Sequence, residues 1–228
     1  MNGSPRFQLS GNELKIIAAV TMFLDHMGLM LLPRAAIFRY IGRLAFPIFA
    51  FMIAEGCKYT RNRRRYWGNL AILAALCQIV YFFFDGSAYL CILVTFSLSI
   101  LMIYALDRLK SAPNAVNMLI FSAVLLGVFA LNRLLEIDYG FWGCMVPLFA
   151  ALPVGTAYDS IPVRVGMLGL GLIFLSLSIG GMQWFSLLSL PLLLCYSGKR
   201  GKANMKYSFY IFYPAHLVFL EAIAVLTG

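Results

Sequence analysis

Nine apolar runs, each about 16–22 residues long, follow one another through this sequence with only short polar connections between them. No other feature constrains the chain as much, because about 20 helical residues cross about 30 Å of hydrocarbon. The runs fall near residues 13–32, 36–57, 66–84, 88–107, 115–133, 140–157, 163–180, 182–197 and 206–227. Composition argues against a water-soluble domain: 62% of residues are hydrophobic and 12% are charged, where a soluble domain carries about a quarter charged. The sequence predicts an all-α fold, a polytopic transmembrane helix bundle of about nine spans, as a single integral-membrane domain over residues 1–228. Residues 1–12 are expected to form a short cytoplasmic segment. In "SGNE", Ser10 stands three residues before Glu13, a capping box that starts the first helix at the membrane surface. The first run is long and no small-residue cleavage site follows it, so no cleaved signal peptide is expected.

Orientation follows from the basic residues of the connections. Arg6, Lys15, Lys58, Arg61, Arg63, Arg64, Arg65, Arg108, Lys110, Arg164, Lys199, Arg200, Lys202 and Lys206 fall on one side. Arg34, Arg39 and Arg133 fall on the other, and Arg43 lies within a span. This asymmetry predicts a cytoplasmic N-terminus, an external C-terminus and a multi-pass protein of the bacterial cytoplasmic membrane. The +9 net charge is then a topology signal, and no nucleic-acid partner is expected, since no soluble basic domain exists to bind one. Cys57, Cys77, Cys91, Cys144 and Cys195 lack C-x-x-C spacing and read as small buried hydrophobes. No metal is expected. There is no Walker or dinucleotide motif to support ATP- or NAD-driven chemistry, and no internal repeat of the kind common in transporters.

"VTMFLDHMGLMLL" (20–32) carries Asp25 and His26 in mid-run. A charged group at a helix centre costs about 2.5–3.5 kcal/mol, so such groups face the bundle and mark function. The others are Arg43 and Glu55 in the second run, and His216 and Glu221 in the ninth. At about 1.5 Å of rise per residue, His26 lies roughly 16 Å from Lys15 and His216 roughly 15 Å from Lys206. Both imidazoles, the only two in the chain, are therefore predicted near the midplane, with Arg43 and Glu221 together in the outer half. Lys15 and His26 share a helix face; Asp25 points about 100° away, toward Arg43 or the side of His216. Pro47 and Pro214 are expected to kink their helices beside this chamber, freeing the carbonyls of Arg43 and Tyr210. Glu55, near the cytoplasmic end, reads as helix-packing glue. "KYTRNRRRY" (58–66) and "SGKRGKANMK" (197–206) fit either anchoring to anionic lipid or a site for a polyanion.

"FLDH" (23–26), "GRLAFPIFAF" (42–51), "QIVY" (78–81), "DYGFWG" (138–143) and "FYPAHL" (212–217) together resemble the TraX family. These are bacterial membrane proteins named for an enzyme that acetylates the N-terminus of conjugative pilin. The likeness runs from about residue 12 to the C-terminus and extends to transmembrane acyltransferases of the acyltransferase-3 type. Those carry a basic residue, ten residues, then a histidine in the first span, as Lys15 and His26 do. Their late serine–aromatic–histidine pattern is met by Ser208 and His216 at a spacing one residue longer. The resemblance implies an acyltransferase using acetyl-CoA. Lys15, Arg61, Arg63, Arg64, Arg65, Lys199, Arg200 and Lys202 would hold the coenzyme A thioester. His26 would act as general base, aided by Asp25, His216 and Arg43. Gln78, Tyr81, Tyr213 and Glu221 would meet an acceptor arriving from the outer side. A histidine suits the task because its ordinary pKa lies near working pH, and the membrane would exclude competing water. The acceptor is open: peptide amine, sugar, lipid headgroup or small molecule. Two other classes fit the same residues, a proton-coupled small-solute transporter and a non-enzymatic assembly factor.

Overall fold

The computed structural model describes residues 8–86, 89–153, 159–203 and 205–227, without the side chains of 84, 85, 206, 207, 210 and 227. Arg6, most of the 1–12 segment, the Lys206 side chain and the last residues of the predicted sixth span lie outside the described residues. The first helix, α1 (Gly11–Met30), starts where its cap predicts. The Glu13 amide donates to Ser10 Oγ at 3.3 Å, and the Ser10 amide donates to Glu13 Oε2 at 2.6 Å.

The second apolar run folds differently from its prediction. It is two helices, α2 (Ala36–Gly42) and α3 (Ala45–Tyr59), broken at Arg43 and Leu44. Pro47 causes no mid-helix kink: it stands in the first turn of α3, where its missing N–H has no intrahelical partner to lose. The break leaves Arg43 at a junction rather than on a continuous helix wall. Then come α4 (Arg63–Asp85), capped by Asn62, α5 (Ile92–Ser111), α6 (Ala115–Leu134), capped by Asn114, α7 (Gly140–Ala151) and α8 (Ile161–Ile179). The predicted eighth span is a nine-residue 3-10 helix, Gly181–Ser189, followed by the short α9 (Leu190–Leu194). The helix α10 (Lys206–Thr227) ends the chain with Pro214 inside it.

Five stretches are long and apolar enough to cross a membrane: Ala36–Tyr59, Arg63–Phe83, Ile92–Ser111, Ala115–Leu134 and Ile161–Ile179. The protein is thus an all-α, polytopic helical membrane protein. Its exposure pattern agrees, since large apolar side chains such as Phe83, Leu119, Leu126 and Leu177 lie on the outside while polar groups are gathered inward. The core is built on α3, α5, α7 and α8, where Ile48, Phe51, Ile100, Met102, Leu168 and Leu172 are fully buried. Ser99 Oγ donates to the Cys144 carbonyl at 2.9 Å, fastening α5 to α7. The cysteines are free thiols, Cys195 alone being partly exposed.

Arg164 does not anchor a cytoplasmic connection. The helix α8 begins at Ile161, so Arg164 is drawn inside, 4% exposed. There it pairs with Glu55 and donates to the Ala150 carbonyl at 3.1 Å. Burying a cation is tolerable only with such partners.

The two ends of the chain meet. The Leu9 amide donates to the Cys195 carbonyl at 2.8 Å, the Gly11 amide to that of Lys199 at 2.8 Å and the Asn12 amide to that of Arg200 at 2.9 Å. Asn12 Nδ2 adds a bond to the Ala203 carbonyl at 2.7 Å. The foot of α1 is therefore fixed to the segment that leads into α10.

Candidate active site

The two histidines, 190 residues apart in sequence, touch: His26 Nδ1 lies 2.7 Å from His216 Nε2. Their ring planes differ by 14° with centroids 5.0 Å apart, so the rings meet edge to edge in an in-plane N–H···N bond. His216 Nδ1 lies 2.9 Å from the Phe212 carbonyl. A carbonyl only accepts, so Nδ1 of His216 carries its proton and Nε2 is a lone pair. That lone pair accepts from His26 Nδ1–H, which leaves His26 Nε2 unprotonated. The tautomers follow from the network, and they make His26 an oriented base. Phe212 and Tyr213 hold the His216 ring between them, at centroid distances of 4.9 Å and 5.6 Å.

One residue before His26, Asp25 ties α1 to the broken second run. Arg39 Nη1 reaches Asp25 Oδ2 at 2.6 Å, and Arg43 Nη2 reaches Oδ1 at 2.8 Å and Oδ2 at 2.9 Å. Asp25 meets Arg43, one of its two expected partners, while His216 is braced by Phe212 instead. Arg39, which reads from sequence as an outer-loop cation, is the second arm of the clamp. Gly42 makes the approach possible: a Cβ there would stand 2.2 Å from Asp25 Oδ1. Gly42→Ala is expected to destabilise the protein by about 1–3 kcal/mol through this overlap, measurable as a lower thermal unfolding midpoint in detergent. An unchanged midpoint would show that the clamp can give way.

The connection after α4 is laced to the one after α6. The Leu90 amide donates to the Glu136 carbonyl at 2.8 Å and the Asp138 amide to that of Leu90 at 2.9 Å. Tyr89 Oη donates to Asp138 Oδ1 at 2.7 Å. Burial pushes the Asp138 carboxyl up to about 6, against the opposing pull of Tyr89 and Arg43. Tyr139 adopts φ 59°, a left-handed backbone found in no other non-glycine among the described residues. Such strain persists where the surroundings impose it; here the Tyr139 hydroxyl accepts from Arg43 Nη1 at 3.3 Å. Gly143 leaves room for it, since a Cβ there would lie 2.3 Å from Tyr139 Cβ.

These groups line a cavity of about 610 Å³, shared by His26, Asp25, Arg39 and Arg43 with Tyr81, Tyr89, Asp138, Tyr139 and Glu221. Glu221 forms no ion pair among the described residues. Gln78 is not on the lining. Its amide clamps the connection after α4, Nε2 donating to the Tyr89 carbonyl at 2.9 Å and Oε1 accepting from the Cys91 amide at 3.3 Å. Tyr213 is buried, its ring edge-on to that of His216 at 5.6 Å. The expected donor-binding cations lie elsewhere. Arg61, Arg64 and Arg65 are exposed around the start of α4, and Lys199, Arg200 and Lys202 are exposed before α10. Lys15 is half-buried within the electrostatic reach of Arg200. Arg63 pairs with Asp107 at 2.9 Å and borders a second cavity of about 420 Å³, with Lys58, Lys110, Asp159 and Arg164.

Arg39, Tyr89, Asp138, Tyr139 and Gln183 also line the histidine cavity, and sequence reasoning did not single them out. A signal existed for two of them: Asp138 and Tyr139 open the quoted "DYGFWG".

Comparison with known proteins adds three findings. The family model described as "TraX protein" matches residues 10–224. A protein named "Probable fimbrial assembly protein FimC, serogroup H1", from Dichelobacter nodosus, is 29% identical over 254 aligned positions, covering 95% of this chain and 96% of that one. An uncharacterized protein of Rickettsia prowazekii (strain Madrid E) is 50% identical over 38 residues, 17% of this chain and 15% of its own. No solved structure matches the chain significantly.

Proposed function

The chain belongs to the TraX family, and from that premise we propose a membrane-bound acyltransferase that moves an acetyl group from acetyl-CoA to an amine or hydroxyl acceptor. The bundle crosses the bacterial cytoplasmic membrane nine times with its N-terminus inside; the donor comes from the cytoplasm and the acceptor from the outer side. One observation carries the reading: a histidine on a polar cavity, its tautomer fixed by a second histidine and a backbone carbonyl.

His26 Nε2 takes the acceptor's proton as the acceptor nitrogen or oxygen attacks the thioester carbonyl. The C–S bond then breaks, and the proton passes to the departing thiolate, so that acetylated acceptor and CoA thiol leave. His216 steadies the imidazolium that forms in between, the role of an orienting partner in an acid–base relay. Arg43, fixed by Asp25, offers positive charge to the oxyanion. Glu221, a carboxylate in the cavity with no ionic partner among the described residues, favours an acceptor that arrives as an ammonium and takes its extra proton, so that the neutral amine attacks. On the cytoplasmic side, four cations stand around the second cavity: Lys58, Arg63 and Arg164 are paired with Asp159, Asp107 and Glu55, and Lys110 has no ionic partner among the described residues. With Lys15, Arg61, Arg64, Arg65, Lys199, Arg200 and Lys202 nearby in the same leaflet, they suit the phosphates of coenzyme A.

The reading is tested with purified protein in nanodiscs, acetyl-CoA and a panel of amines and sugars. Release of CoA thiol that requires both the protein and an acceptor supports it. Protein that neither binds coenzyme A nor releases thiol with any acceptor sinks it. The fimbrial-assembly relative favours a second reading, an assembly factor without chemistry, for which that negative result is the expected one.

A further inference from the structure

We infer that Gln183 reads the acceptor, through its side-chain carboxamide, by pairing with a group that presents a hydrogen-bond donor and an acceptor side by side. The inference rests on the reading that the histidine cavity takes the acceptor. Gln183 lines that cavity, is 2% exposed, and has neither Nε2 nor Oε1 hydrogen-bonded to any group among the described residues. Buried polar atoms are paired in the great majority of cases, and each one left unpaired needs a reason. A side chain with two such atoms is costly for the fold. The reason with physical content is that a ligand supplies the partners.

The backbone adds a second observation. Gln183 stands in a 3-10 helix nine residues long, where runs beyond three or four residues are uncommon because side chains three apart eclipse. Ser186, three residues on and therefore on the same face, is fully buried with its own hydroxyl unpaired. An ordinary α-helix would turn these positions about 60° apart. The strained geometry holds a polar stripe toward the interior. The same cavity is lined by His26, the base, and Glu221, so a ligand filling the space can place its nucleophile at His26 while a neighbouring carboxamide pairs with Gln183. One N–H from the ligand meets Oε1, and one ligand oxygen meets the Nε2 hydrogens.

The test uses binding rather than turnover, in full-length protein in nanodiscs. The probes are propanamide, which has the donor–acceptor pair, and butan-2-one, its isostere with an acceptor only; affinities are read by ligand-observed NMR. Wild-type protein is expected to prefer propanamide by about tenfold to hundredfold, the worth of two hydrogen bonds to groups otherwise unpaired. Gln183→Leu and Gln183→Met are both expected to bind the two probes equally. Both variants should also unfold about 2–4 °C higher than wild type, because they remove buried polar atoms that the fold itself leaves unpaired. A residue with a merely structural role would lower that temperature. Equal affinities in wild type, or a preference that survives in both variants, overturns the inference. Neither result bears on acetyl transfer, so a protein without transferase activity would remove the proposed reaction and leave this preference standing.

Discussion

His26→Ala is expected to cut acetyl transfer by about 10²–10⁴-fold, the range a positioned general base supplies, with the protein still folded. The size follows from how completely the base is oriented. Its Nδ1 is committed to His216 at 2.7 Å, so only Nε2 is left to act, and the one other imidazole, His216, is not on the cavity lining. The fold should survive because the residue removed sits at a cavity rather than in the packed core. The cost is one buried acceptor, His216 Nε2, left unpaired, about 1–3 kcal/mol. His216→Ala should lose less, since it removes the orienting partner and not the base. Combining the two should lose little beyond His26→Ala alone, as groups acting as a unit are not additive. The rate of CoA thiol release with a fixed acceptor measures all three. A His26→Ala protein that transfers at the wild-type rate would end the assignment of His26 as base.

The second large effect is on stability. Asp25→Ala should destabilise the protein by about 3–5 kcal/mol, the loss seen when one partner of a buried ion pair is removed and its charges stay behind. Two guanidiniums are left, with side chains 24% and 15% exposed for Arg39 and Arg43. Asp25→Asn keeps the shape and should lie between. Unfolding in detergent at fixed pH measures both, and a loss under about 1 kcal/mol would mean the clamp behaves as a surface ion pair. Asp25 also shares a turn with His26, so its removal should disturb the base as well as the fold.

Much of this was legible in the sequence, for reasons particular to the residues. Counting rise from Lys15 and Lys206 put both imidazoles at one depth, because helical rise is fixed and a membrane protein has one strongly favoured axis. Their contact is now observed at 2.7 Å. The Ser10–Glu13 cap was equally local and was read correctly. What stayed hidden depended on the backbone breaking. The run 36–57 is apolar enough to read as one helix, which left Arg39 counted with the cations at its outer end and Arg43 on its wall. The break at Arg43 and Leu44 is a tertiary choice, made where Gly42 lets α2 lie against Asp25. Arg164 misled in the same way, since hydropathy counts a cation near a helix start as exposed whether or not a Glu55 waits for it. Gln183 fell in the least regular run, where a 3-10 helix puts residues on faces that α-helical spacing does not foresee.

The foot that joins α1 to the segment before α10 has a mechanical consequence. Each imidazole hangs on its own helix, and the foot of α1 is tied by the bonds from Leu9, Gly11 and Asn12 to Cys195, Lys199 and Arg200, in the segment that leads into α10. Sliding one helix along its axis by a full turn, about 5.4 Å, would separate the rings beyond bonding distance. The shared anchor resists that slip, so the registry of the dyad is maintained from the foot of α1, fourteen residues before His26. A push on that foot would then carry both rings together, and the relay would ride through the motion intact.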